Sequence, residues 1–164
     1  MKKTDFAPRT GALEYYLKGK NLYGVEVGVD VGAHAESILT HCDVQKLWLV
    51  DIWQNQWMEG YCAGRLTRWF HSVEMVKKPS LDAAKVFEAD YFDFIYLDQL
   101  HAYETVKADF EAWWPKLLPG GILALRNYAE KNAGLKKAAD EFIRDNGIVK
   151  FEIDTYLNEI VIFK

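Results

Sequence analysis

LYGVEVGVDVGAHAESILTHCDVQKLWLVDI, residues 22–52, decides the fold. It opens on an apolar, β-branched run (22–28) that ends in glycine, the pattern of a buried strand. A helical stretch over 34–41 follows, with Ile38 and Leu39 facing inward, and then a second apolar run, 46–52, turns acidic at its end. Strand, glycine turn, helix, strand is the repeating unit of a parallel sheet covered by helices.

Working outward, the period keeps changing in the same way. Upstream, residues 9–19 read as a short amphipathic helix closed by Gly19. Downstream, 53–72 is weakly patterned, interrupted by Gly60 and Gly64, with a helix expected at about 61–71. A short strand is expected at 72–76, a helix from Leu81 to about Phe87, and a clear strand at 92–98. The next helix, 103–117, spaces Val106, Phe110, Trp113 and Trp114 for one buried face, and Pro115 should end or kink it. Pro119-Gly120-Gly121 is expected to turn into a strand at 122–127. A helix over 131–145 carries Leu135, Ala138, Ala139 and Phe142 on one stripe. Two final strands, 149–154 and 158–163, have only Thr155, Tyr156 and Leu157 between them, so they must be antiparallel neighbours. The fold class is α/β: a doubly wound, mostly parallel seven-stranded sheet closed by an antiparallel hairpin, with residues 1–164 as a single domain.

Composition agrees with one packed domain. Of the 164 residues, 50% are hydrophobic and 15% aromatic, the opposite of a disordered chain. A formal charge of −4 argues against a nucleic-acid groove, which needs clustered positive charge. No apolar run is long enough to span a bilayer, and Asp5, Arg9 and Glu14 break up the basic N-terminus, so a signal peptide is not expected. Cys42 and Cys62 match no metal or redox spacing and read as reduced thiols of a cytoplasmic protein.

The chemistry gathers at strand ends. Glu26, Gly28 and Gly32 stand in a turn that lets the backbone approach a ligand. A dinucleotide fingerprint would be G-x-G-x-x-G; here an acid stands first and the glycines are spaced G-x-x-x-G. An acid at the strand mouth favours a positive amino group and disfavours phosphates. Asp51, closing the second strand, is placed to accept both hydroxyls of a ribose. Ordinary packing glycines and a solvated acid are the plain alternatives.

Residues 92–128 are the most specific signal. FDFIYLDQLHAYETVKADFEAWWPKLLPGGILALRNY resembles the macrocin-type small-molecule O-methyltransferases of the class I S-adenosylmethionine-dependent methyltransferases. In that family a D-x-x-H-x-Y signature ends the fourth strand, here Asp98, His101 and Tyr103. A W-x-x-L-x-P-G-G turn leads to the fifth, here Trp114, Leu117, Pro119, Gly120 and Gly121. The resemblance runs from about Tyr23 to Phe142. It implies that S-adenosyl-L-methionine is the cofactor. Glu26, Gly28 and Gly32 would line its methionine end, Asp51 hold the ribose, Ile52 and Trp53 lie against the adenine, and Ser80 sit near its edge. Asp98 would face the methyl-transfer cleft with His101 beside it. His101 is then the candidate base with Asp98 as its orienter; a loop-fixing hydrogen bond is the competing reading for His101.

The chain departs from metal-dependent relatives in two places. Gln99 and Leu100 follow Asp98, and Arg126-Asn127 stand where acids would close the fifth strand. One carboxylate beside an arginine is a poor Mg²⁺ site, so no metal is expected. Lys77, Lys78 and Pro79 precede Ser80 where relatives often carry an acid for the adenine amino group. The expected activity is methyl transfer to oxygen of a small-molecule acceptor. An inactive cofactor-binding protein and a nicotinamide-dependent oxidoreductase are the competing readings. Trp53, Trp57 and Trp69 could wall a substrate pocket or a homo-oligomer interface; His34 beside the glycine turn reads equally as a cofactor contact or a surface residue.

Overall fold

The computed structural model describes residues 12–99, 102–128 and 131–164. The strands are β1 (Leu22–Val27), β2 (Val44–Asp51), β3 (Val73–Lys77), β4 (Phe92–Leu97), β5 (Leu117–Arg126), β6 (Phe151–Asp154) and β7 (Glu159–Phe163). The α-helices are α1 (Ala12–Tyr16), α2 (Ala33–His41), α3 (Gln56–Arg65), α4 (Ser80–Ala84), α5 (Tyr103–Trp113) and α6 (Ala133–Asp145). Together they form one seven-stranded sheet of order β3-β2-β1-β4-β5-β7-β6, parallel except where β7 pairs with β5 and β6. This is the expected doubly wound, mostly parallel seven-stranded sheet with its terminal antiparallel hairpin.

Alternation along the strands sends side chains to two cores, one on each face. On one face Val25, Val27, Val50, Ile95, Leu97, Leu123 and Leu125 pack against Phe110 and Trp113 of α5 and Leu135, Ala138 and Ala139 of α6. On the other, Leu47, Leu49, Phe94, Tyr96 and Val161 pack against Leu13 and Leu17 of α1 and around it, Ile38 and Leu39 of α2, and Cys62 of α3. Phe142 is only partly buried; its place on the α6 stripe falls to Ile143, while its ring stacks on Phe110.

Two expectations need correction. Pro119-Gly120-Gly121 is no turn before a strand: β5 already begins at Leu117, and the register with β4 shifts between Phe92 and Phe94 to absorb the extra residues. Such an irregularity lets a strand carry proline and a left-handed glycine without breaking off. The weakly patterned segment forms α3 earlier than expected, at 56–65, with a 3₁₀ turn at Thr67–Trp69 behind it. Cys62 is its buried residue, with Met58 one turn before and Leu66 one turn after packed on the same core, a stripe that Gly60 and Gly64 interrupt.

Strand order reverses between β1 and β4: β2 and β3 lie to one side, β5 to the other. In open α/β sheets that reversal opens a crevice at the carboxyl ends of the strands.

Candidate functional site

Gly28 and Asp98 meet at that reversal. The Asp98 N–H donates to the Val27 carbonyl at 2.8 Å, and the Gly28 N–H to Val50 at 2.9 Å. Gly28 has φ +89°, and a Cβ built there would lie 2.1 Å from the Asp98 carbonyl oxygen. Glycine is therefore required by the close approach of two strand ends and by the left-handed backbone. Gly32, at φ +74°, caps α2; the turn closes by a Gly32 N–H to Val29 O bond of 3.0 Å.

Asp51 clamps this turn. Its Oδ2 accepts the N–H groups of Val29 (2.8 Å) and Asp30 (3.0 Å), and its Oδ1 accepts the N–H of Trp53 (2.8 Å). One carboxylate thus joins the loop after β1 to the loop after β2. Its Oδ1 takes a single bond among the described residues and has a further lone pair for a ligand. Ile52, next along, is exposed. Trp53 is not: it is 2% exposed at φ +36°, and its indole N–H donates to the Asp30 carbonyl at 2.9 Å. Its ring braces the glycine loop from inside.

Glu26 lies one layer deeper than the sequence suggests, 1% exposed. Its Oε1 is 3.3 Å from Nδ1 of His34, and its Oε2 is buried with no hydrogen-bond partner among the described residues. Burial raises the Glu26 carboxyl above the usual range, opposed by the His34 hydrogen bond. For His34 burial acts the other way, but the hydrogen bond and charge of Glu26 outweigh it and favour the imidazolium. The ring of His34 stacks on Tyr96 at 3.8 Å, and the Tyr96 hydroxyl donates to buried Glu159 at 2.7 Å. His34 is thus no surface residue, and neither Tyr96 nor Glu159 had been singled out. A tyrosine inside an apolar strand gives no sequence signal of a polar partner sixty-three residues away.

Asp98 faces Arg126 and Asn127 across the carboxyl ends of β4 and β5. Arg126 donates through Nη1 to Oδ2 at 2.9 Å, and Asn127 through Nδ2 to Oδ1 at 3.4 Å. The guanidinium is about half exposed and retains donors for a ligand. His101 lies outside the described residues.

Ser80 turns away from the crevice. Its hydroxyl donates to Asp109 Oδ1 at 2.5 Å and accepts the Trp113 indole N–H at 2.8 Å, in a buried cluster joining α4 to α5. Gln99 donates to the other Asp109 oxygen at 3.1 Å. Burial pushes the Asp109 carboxyl up to about 6, the Ser80 hydrogen bond drawing it back in part. The Ser80 hydroxyl is thereby engaged with α5. Asp109 went unnoticed in the sequence because it occupies an otherwise apolar helix face.

Of the three tryptophans without a pattern, Trp57 is exposed, Trp53 is buried, and Trp69 is partly buried against the second core with Arg68 over its ring. An open groove of about 290 Å³ lies at the opposite ends of the strands, near Lys18, Asp93 and Pro119, and holds none of these residues. No cluster of metal-ligating side chains, and no helix long and apolar enough to cross a membrane, occurs among the described residues. Cys42 and Cys62 are free thiols, pushed up by burial to about 11 and about 12.

The family model of the methyltransferase domain matches residues 25–128, from within β1 to just past the end of β5. The chain belongs to that family. Among solved structures it is similar to a Corynebacterium glutamicum protein (TM-score 0.73, 18% identity, 93% of this chain and 76% of that one). A Staphylococcus aureus protein proposed to be a caffeoyl-CoA O-methyltransferase has TM-score 0.72 and 15% identity over 92% of this chain and 79% of that one. A Podospora anserina methyltransferase with bound S-adenosylhomocysteine has TM-score 0.70 and 13% identity over 86% and 70%. At these identities the likeness concerns the fold. An uncharacterized protein of Sinorhizobium fredii, y4gI, is 26% identical over 111 residues, 61% of this chain. The chain spans only 11% of that protein's length.

Proposed function

We propose that this chain transfers a methyl group from S-adenosyl-L-methionine to an oxygen of a small-molecule acceptor, as the macrocin-type enzymes do. The observation that carries the reading is the Asp51 clamp. A single carboxylate holds the amides of the glycine loop and keeps a lone pair at the crevice beside β1 and β4. The turn also carries no cation aimed at a phosphate: the residue before it is an acid, Glu26, buried and paired with His34. These residues fit the cofactor. Asp51 would hold the ribose, Ile52 would lie beside the base, and the turn over Gly28–Gly32 with the first amides of α2 would take the amino-acid end. When bound, the cofactor supplies a methyl group on a sulfonium that leaves as a neutral thioether.

The chain's own part is alignment and charge. Asp98 stands at the meeting point of β1 and β4, its orientation fixed by Arg126 and Asn127. With its carboxylate already neutralised by a guanidinium, Asp98 is a poor cation ligand, so the transfer is metal-independent in this account. Arg126, with donors left in its planar fork, would hold an anionic acceptor. His101 remains the candidate for taking the acceptor proton.

Labelled methyl transfer from S-adenosylmethionine to a panel of small carboxylated and uncharged phenols or sugars tests the activity, with EDTA and Mg²⁺ arms. Product formation insensitive to EDTA supports it. Cofactor binding with no transfer to any acceptor favours a binding protein, and loss of transfer with EDTA overturns metal independence.

A further inference from the structure

Among the described residues β6 is an edge of the sheet, paired with β7 alone. Phe163 donates its N–H to the Lys150 carbonyl at 3.2 Å. Since an antiparallel strand directs both backbone groups of alternate residues to the same side, Phe151 and Ile153 of β6 turn theirs away from β7, and Val149, just before the strand, continues the alternation in sequence. The side chains of those three residues are also exposed, Val149 almost wholly (96%) and Phe151 and Ile153 at 41% and 45%. Phe151 and Ile153 stand in register with Ile162 and Ile160 and share their face, while exposed Glu152 stands opposite Val161 on the other.

An edge strand with two exposed apolar side chains, and a third just before it, is an aggregation hazard unless something specific covers it. Here the sequence is complementary to itself. Laid antiparallel on a second VKFEI (149–153) about a twofold axis at Phe151, valine faces isoleucine, phenylalanine faces phenylalanine, and Lys150 faces Glu152 at both ends. The apolar pairs fall on one face and the ion pairs on the other. The edge-facing residues 149, 151 and 153 come into hydrogen-bonded pairs, so the charges occupy the closer, non-hydrogen-bonded positions. Neighbouring registers lose this match. Centring on Glu152 keeps Lys150 opposite Asp154 but sets Glu152 against its own copy, and centring on Ile153 sets Glu152 against Asp154 at both ends. Like charges directly opposite destabilise a ladder.

We propose that the β6 edge is a self-association surface whose occupant is a second copy of this chain, joining two sheets into one through β6. A ladder of five residues is small beside a standard interface, so the dimer is a weak one.

Sedimentation velocity on the 164-residue chain from about 5 µM to about 300 µM spans the range a small interface requires. The proposal expects reversible growth to the mass of two chains. Lys150→Glu sets two acids against each other twice per dimer, and Glu152→Lys sets two bases; each should raise Kd roughly tenfold. The double reversal restores complementarity and should return Kd to within about threefold of the wild type. Lys150 also lies over the Phe163 ring at 4.1 Å, so a melting curve for each variant confirms that the monomer stays folded. A single-chain mass throughout overturns the proposal. So does a dimer that ignores the single reversals or is not rescued by the double one, because either result puts the contact elsewhere.

Discussion

Replacing Asp109 by asparagine tests whether the Ser80 cluster is a structural joint. The wild-type carboxyl titrates at about 6 in the folded protein against an ordinary value of 3.8, because burial penalises its charge. A folded-state pKa raised in this way favours the protonated form. Its contribution to stability is complete below about pH 4 and is lost as the pH rises through about 6. At about 1.4 kcal/mol per pH unit across that window, the loss amounts to about 3 kcal/mol. Asp109→Asn keeps an acceptor for Ser80 and has no proton to lose. Urea unfolding of both proteins between pH 4 and pH 7.5 isolates the effect, since every other group is common to the two. The wild type should lose about 3 kcal/mol relative to the variant over that range. S-adenosylhomocysteine affinity at pH 7.5 should stay within about threefold, because the side chain of Ser80 is turned into the protein. Parallel stability curves would refute the argument, and a collapse of cofactor affinity in a folded variant would return the Ser80 side chain to the adenine.

Other substitutions probe the crevice. Gly28→Ala places a Cβ against the Asp98 carbonyl at a left-handed backbone position, and should destabilise the fold by about 3 kcal/mol in urea unfolding. An unchanged midpoint would contradict the packing described. Asp51→Ala leaves three loop N–H groups without their acceptor; binding of S-adenosylhomocysteine should weaken by about 1–3 kcal/mol in calorimetry, with a lower melting temperature. Arg126→Ala removes a half-exposed ion pair and should change stability by less than about 1 kcal/mol. The same variant should raise KM for an acidic acceptor while leaving S-adenosylhomocysteine affinity unchanged. An unaltered KM removes Arg126 from acceptor recognition.

The architecture was legible because it is periodic. Runs such as FDFIYLD and LWLVDI are apolar on both faces and ended by acids or glycines, and five strand–helix repeats leave few topologies open. Positions of Gly28, Asp51 and Asp98 at strand ends followed from the same pattern. Their partners did not. Asp51 bonds to backbone amides, which every loop possesses, so no side-chain signature announces it. Trp53 and Ser80 sit near expected ligand positions in sequence, yet both turn their side chains inward, where an indole N–H and a hydroxyl find acceptors that only tertiary contact supplies. The polar residues inside the second core, Glu26, His34, Tyr96 and Glu159, come from four elements and share no spacing. Helix α3 starts earlier than expected because Gly60 and Gly64 interrupt the stripe of Met58, Cys62 and Leu66 that packs on the second core.

The proposed activity rests on binding of S-adenosylmethionine in the crevice beside β1 and β4. Isothermal titration of the wild-type chain with S-adenosylhomocysteine, and in parallel with NADH, tests it most directly. The expected result is one S-adenosylhomocysteine per chain, weakened by about 1–3 kcal/mol in Asp51→Ala, and no heat from NADH. Saturable NADH binding with no response to S-adenosylhomocysteine would contradict it.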